Sequence, residues 1–160
     1  MGKIRTSQDD RVMRLIMYLI DTNVISEMRK KNKANAGVKR FFKKSVDENT
    51  KLYLSVITIG ELRRGVENIR YRNDLKQASN LEAWLDKLVS EYADSILSFT
   101  EVEAQVWGAL RVPHHEHSID KQIAAIALTN SLTVVTENTK DFIGTGVSLL
   151  NPFEPTLKSL

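Results

Sequence analysis

Cysteine is absent from the 160-residue chain. That excludes disulfides and thiolate metal sites, and it makes a reducing cytoplasm the expected compartment. Long apolar runs are absent too: Ile123 to Leu128 is among the longest, far too short to span a bilayer. No secretory signal is visible at the start, and no internal repeat or low-complexity tract follows. No serine sits in a Gly-x-Ser-x-Gly elbow, and the histidines lack His-Glu-x-x-His spacing. A covalent serine or cysteine nucleophile therefore has no support.

What is present suggests one globular domain, since 42% of residues are hydrophobic and 27% charged. Net charge is only +3, but it is unevenly spread. Between Arg29 and Lys44 stand Arg29, Lys30, Lys31, Lys33, Lys39, Arg40, Lys43 and Lys44 with no acid among them. Such a block suits a phosphate-binding surface, and a solvated helix face is the plainer reading.

Met1 to Arg14 is polar and charged, and Met17 offers a second start directly before an apolar run. Residues 1–16 are therefore set aside as an extension, 17–155 are taken as the domain, and 156–160 as a tail. A helix through Val12, Met13 and Leu15 is conceivable in the extension. Five short apolar segments read as strands: Met17–Ile20, Leu52–Ser55, Ile96–Phe99, Thr133–Thr136 and Val147–Leu150, the last stopped by Asn151-Pro152.

Helical spacing lies between the strands, over 24–31, 38–46, 59–72 and 75–92, from Thr100 toward Pro113, and over 119–131. Val38, Phe41, Phe42 and Val46 are expected to share a face. Leu75, Ala78, Leu81, Leu85, Leu88 and Tyr92 form a longer stripe. Thr100 and Glu103 fit a capping box, and Ser118 fits an N-cap. The alternation predicts an α/β fold with a parallel sheet of about five strands.

Four acids draw attention through their placement. Asp21 follows the first strand, Glu61 is expected in the first turn after the second, and Asp141 lies just beyond the fourth. The carboxyl ends of parallel strands are where α/β sites form. Asp120 opens an apolar helix whose buried face must pack on that sheet. Singly, each has a bland alternative: Asp21 as an N-cap, Glu61 in a Thr58–Glu61 capping box, Asp120 facing a helix dipole, Asp141 closing a small cap from Asn138. Together, four gathered carboxylates repel unless they protonate or share a cation, and Mg2+ or Mn2+ supplies that compensation. Such an ion activates water and stabilises a leaving oxygen, which fits hydrolysis of a phosphodiester. Thr22, Asn23, Thr136 and Asn138 offer supporting polar groups. His114, His115 and His117 could suit zinc or nickel, but without His-Glu-x-x-His spacing and in a helix-to-helix connection they read as an exposed loop, with contact to RNA phosphate near Asp120 as a secondary reading.

Leu19-Ile20-Asp21-Thr22-Asn23-Val24-Ile25-Ser26-Glu27, Gly60-Glu61-Leu62, Asp120 with Ile123-Ala124-Ala125, and Val135 through Phe142 resemble, in this order, the PIN-domain toxins of the VapC type, in their FitB-like branch. The likeness covers about Met17 to Pro152. It implies a PIN domain and a Mg2+- or Mn2+-dependent endoribonuclease, the toxin of a type II toxin–antitoxin pair. It also implies a homodimer, a VapB-like antitoxin covering the acidic site, and operator DNA bound only through that antitoxin.

Carried over, Asp21, Glu61, Asp120 and Asp141 are the metal-binding catalytic positions, with Asn138 able to share the role of Asp141. Arg29, Lys30, Lys39, Arg40, Lys43, Lys44, Arg63 and Arg64 are the expected RNA-guiding cations. The extension and the His-Glu-His preceding Ser118 depart from the family pattern. Three other readings compete. A receiver-like phosphoacceptor lacks its aspartate after the third strand and its lysine after the fifth. A catalytically silent partner or co-repressor gains nothing from four clustered acids. A DNA nuclease of the same fold usually needs a larger arch.

Overall fold

A computed structural model of the chain describes residues 15–153. The tail at 156–160 and most of the extension, with the helix considered there, lie outside the described residues. Five strands form a wholly parallel sheet in the order β3-β2-β1-β4-β5: β1 (Tyr18–Ile20), β2 (Leu52–Ser55), β3 (Ile96–Leu97), β4 (Thr133–Val135) and β5 (Ser148–Leu150). Around it are α1 (Thr22–Glu27), α2 (Ala36–Asp47), α3 (Val56–Tyr71), α4 (Leu75–Glu91), α5 (Glu101–Leu110) and α6 (Ser118–Thr129). The expected α/β architecture is borne out, and every strand but β2 is somewhat shorter than its apolar run.

Side chains of a strand alternate between the two faces of a sheet, and the core divides accordingly. Ile20 and Val135 point into one layer, with Val24, Val38, Leu62, Val66, Leu81, Leu85 and Leu88. Leu19 and Val134 point into the other, against Ile123, Ala124, Ile126, Ala127 and Phe142. The small residues of α6 let that helix lie close to the strands. The chain builds outward from β1 through β2 to β3, then returns to place β4 and β5 on the other side. The reversal makes the gap between β1 and β4 a topological switch point, where an open α/β sheet leaves a crevice at its carboxyl edge.

Several local expectations are corrected. Val46 is 78% exposed, while Ser45 is buried and its Oγ donates to the Phe41 carbonyl at 2.9 Å. Counted from Val38, position 45 returns to the buried face and position 46 overshoots it by most of a quadrant. Leu75 ends its stripe in solvent. Helix α3 starts a turn earlier than predicted: Ser55 caps it, its Oγ accepting the Thr58 N–H at 3.0 Å. Thr58 is therefore inside the helix, the Thr58–Glu61 box does not form, and Glu61 sits in the second turn. Ser118 is the first helical residue of α6, not its cap. His117 precedes it in the left-handed region (φ 53°, ψ 45°), and the Lys121 N–H donates to its carbonyl at 3.0 Å. The capping-box contact at α5 is as expected, the Glu103 carboxylate accepting the Thr100 N–H at 2.8 Å.

Candidate metal centre

Asp21 ends β1 at the switch point. Its N–H continues the sheet by donating to the Val135 carbonyl at 2.9 Å, so the side chain is delivered one residue past the strand's last register pair, Ile20–Val135. The carboxylate is buried at 3% exposure and accepts three hydrogen bonds. These come from the Thr22 N–H (2.8 Å), the Thr136 hydroxyl (2.8 Å) and the Asn23 amide (3.3 Å). Thr136 follows β4 and is tied in turn, its N–H donating to the Leu150 carbonyl and its oxygen accepting the Asn138 N–H, each at 3.0 Å. The Asn23 carbonyl oxygen accepts the Glu137 N–H at 3.1 Å. Thr22, Asn23 and Thr136 thus lock the ends of β1 and β4 around one carboxylate.

Asp21 is also the N-cap of α1. Capping and site roles coexist: one carboxylate oxygen serves the helix, and the other faces the β4 side. A second hydroxyl group links β1 to β2. Thr22 and Ser55 both donate to the buried Thr58 hydroxyl at 3.3 Å. This link fixes the start of α3, which carries Glu61.

Asp120 lies in the first turn of α6, and Asp141 lies in the 3-10 turn Thr139–Phe142 after β4. The electrostatics show the cluster. Burial raises the Asp21 pKa against its hydrogen bonds, and the Asp141 charge raises it further. Asp120 is pushed up to about 6 by burial, then by the charges of Asp21 and Asp141; His117 opposes this, and Glu61 adds to it. Asp21, Asp120 and Asp141 therefore face one crevice, with Glu61 within charge range at its margin. Buried and half-buried carboxylates gathered within charge range of one another are a donor set a hard divalent cation would satisfy. Asp120 and Asp141, with Asp21 in charge range of both, could hold one.

The histidine run divides. His114 and His115 are exposed, as expected of a loop. His117 instead leans over the acids: its Nδ1 is 3.6 Å from Asp141 Oδ1 and 4.0 Å from Asp120 Oδ2. Donor atoms of His117, Asp120 and Asp141 all lie within 4.8 Å of one another. The i, i+3 spacing of His117 and Asp120 carried that signal in the sequence. Lys121 was also overlooked. It is buried, and its ammonium donates to the His114 carbonyl, tying the loop to α6.

The expected cations are scattered rather than gathered. Arg63 faces α4, bonded to Glu82 at 2.8 Å with Asp86 and Glu67 nearby, so it is committed to helix packing and not to the crevice. Lys43 pairs with Asp47 at 2.9 Å and Lys44 with Glu48 at 3.8 Å. Both lie in the half of α2 that leads toward the amino end of β2, the edge opposite the acids. Lys30 pairs with Glu27 at 2.7 Å, Lys39 donates to the Asn32 carbonyl at 3.1 Å, and Arg29 stands 5.5 Å over the Trp84 ring. Arg40 is exposed on α2; Arg64 is exposed on α3, one turn beyond Glu61, and Lys140 is exposed beside Asp141.

The model of the PIN domain matches residues 18–146. The chain belongs to the PIN-domain family. It is 35% identical over 144 residues to the plasmid stability protein StbB of Pseudomonas syringae pv. tomato, spanning 86% of this chain and 99% of that one. It is 34% identical over 142 residues to the toxin FitB of Neisseria gonorrhoeae, with the same coverage. Identity to the VapC ribonuclease Y4jK of Sinorhizobium fredii is 30% over 146 residues, covering 87% and 99%. Among solved structures, FitAcB from Neisseria gonorrhoeae superposes with a TM-score of 0.74 at 33% identity, covering 87% of this chain and all (100%) of that one. FitAB bound to a DNA fragment superposes with a TM-score of 0.72 at 30% identity, covering 89% and 100%. The PIN fold expected from the motifs is thereby borne out. Among the described residues no helix is long and apolar enough to cross a membrane.

Proposed function

We propose that this PIN-domain protein is the toxin of a toxin–antitoxin pair and acts as a metal-dependent endoribonuclease. The observation that carries the reading is the convergence of Asp21, Asp120 and Asp141 on the switch-point crevice, where burial first, and neighbouring carboxylate charge second, raise Asp21 and Asp120. A divalent ion bound there, Mg2+ or Mn2+, would activate water at neutral pH and offset charge on the scissile phosphodiester. Asp21, fixed by three hydrogen bonds, would help fix the position of that ion. Asp120 and Asp141 would supply further carboxylate oxygens, and Glu61 would add negative charge at the margin. The exposed Asn138 stands next to Asp141 and can orient water or a phosphate oxygen.

RNA would approach from the carboxyl edge of the sheet. Arg64 and Lys140 are the exposed cations nearest the acids in the chain, and the Arg29–Lys44 block supplies longer-range attraction. The relatives named as a toxin and a VapC ribonuclease favour RNA over DNA as substrate. The FitAcB and FitAB structures favour a small VapB-like antitoxin as partner, with operator DNA engaged through it; a homodimeric toxin is what the family resemblance implies. Cytoplasmic action follows from that substrate.

Cleavage of total cellular RNA by the purified protein tests this. Added Mn2+ or Mg2+ should produce discrete cuts, EDTA should stop them, and Asp21→Asn should lower the rate at least about a hundred-fold. Equal activity in Asp21→Asn would remove the crevice from the mechanism.

A further inference from the structure

His117 has no part in the reaction as set out above, yet it is the side chain that closes the acidic crevice. Its Nδ1 lies 3.6 Å from Asp141 Oδ1 and 4.0 Å from Asp120 Oδ2. Both separations are too long for a hydrogen bond. They suit donors that share an ion: two ligands each about 2.0–2.2 Å from a cation stand roughly 3–4 Å apart, depending on the angle between them. We propose that His117 lends an imidazole nitrogen to the ion held by Asp120 and Asp141, so that the site takes a first-row transition ion such as Mn2+ in preference to Mg2+. The inference rests on the metal-dependent reading of the crevice.

The loop that carries His117 is held from three sides. The Trp107 indole donates to the Ser118 carbonyl at 3.0 Å, and the Lys121 N–H donates to the His117 carbonyl at 3.0 Å. The buried Lys121 ammonium holds the His114 carbonyl. The imidazole is thus presented by an anchored turn, although its side chain is 52% exposed. The chemistry gives the preference its direction. Mg2+ favours all-oxygen shells and keeps its waters, whereas imidazole nitrogen is a good ligand for transition ions. An exposed histidine that merely paired with two aspartates would contribute little and would not discriminate between two divalent cations.

Pulsed electron paramagnetic resonance on the full chain loaded with Mn2+ reads this directly, because a bound imidazole couples its nitrogen-14 nucleus to the ion. His117→Asn removes the ring and keeps a residue that tolerates the left-handed backbone. His115→Asn is the control for a neighbouring exposed histidine. Nitrogen coupling is expected in the wild type and in His115→Asn and is expected to vanish in His117→Asn. In competition titrations the preference for Mn2+ over Mg2+ should fall about ten-fold in His117→Asn. Retained Mn2+ without nitrogen coupling, coupling that survives His117→Asn, or an unchanged preference would each overturn the role of His117 and leave the carboxylate site standing. A wild type that retains neither ion, or an Asp120→Asn variant that binds both as tightly as the wild type, would overturn the metal reading and this inference with it.

Discussion

Asp21 is a charge buried by its neighbours' hydrogen bonds, and the strongest of these can be removed without changing shape. In Thr136→Val, Asp21 Oδ2 loses a 2.8 Å donor and the Asn138 N–H loses its acceptor. Mn2+ affinity should fall about 10–100-fold while the far-ultraviolet circular dichroism is retained. Unchanged affinity would mean that Thr136 only closes β4. Asp120 makes a different demand. Its folded pKa of about 6 stands above the model-compound value of 3.8, so the charged form is the costly one in the fold. That cost is absent below both values, grows as pH rises through the window, and is complete above about pH 6. In EDTA, Asp120→Asn should therefore be more stable than wild type at pH 7.5, by about 1 kcal/mol after solvent screening. The gain should disappear near pH 3.5. Urea denaturation at the two pH values checks it, and a pH-independent difference would count against the repulsion. The four acids could be picked out in the sequence because each follows a strand or opens a helix. Their relative standing could not: Asp120 feels the charges of Asp21 and Asp141 ahead of that of Glu61, and Glu61 lies in the second turn of α3 because Ser55, not Thr58, caps that helix.

At the scale of elements, strands and helices were legible where periodicity was strong, and boundaries moved where side chains competed for the cap. Helix α2 shows what pattern alone leaves out. Asn35 caps it, its Oδ1 accepting the Gly37 N–H at 2.8 Å. A Cβ at Gly37 would lie 2.1 Å from the Pro152 carbonyl oxygen, because the chain leaving β5 crosses the first turn of this helix. Gly37→Ala should cost about 1–3 kcal/mol, since backbone rather than a flexible side chain must move. Gly65 in α3 would meet nothing within 4 Å, so Gly65→Ala should gain about 0.5–1 kcal/mol. Thermal melts of the two variants should move in opposite directions; a shared direction would refute the close approach at Gly37. The sequence hides this difference, because the residue that forbids a side chain at Gly37 is more than a hundred positions away.

For the whole molecule, charge placement matters more than net charge. The Arg29–Lys44 block reads as one patch in sequence, but α2 runs back across the sheet and carries Lys43 and Lys44 to the far edge, where Asp47 and Glu48 meet them. Arg64 and Lys140 lie outside that block, yet both are exposed, one a turn beyond Glu61 on α3 and the other next to Asp141 in the chain. Arg64→Ala should weaken RNA binding and lower the slope of log affinity against log salt by about 0.7, the value for one phosphate contact on a single strand. Lys43→Ala combined with Lys44→Ala should alter the slope less. The reverse order in salt titrations of a catalytically silent background would route RNA along α2.

Periodicity and the order of four acidic motifs determined the α/β class and the family, because each motif and each periodic stretch is a local property of consecutive residues. The tertiary structure decided what depends on distant segments meeting. It set the strand order that puts the switch point between β1 and β4, and it wrapped Thr136 around Asp21 across 115 positions of chain. It also withdrew Arg63 to α4 and turned His117 onto Asp120 and Asp141. Burial and charge repulsion act through space, and only the packed sheet brings these groups close enough for either to act.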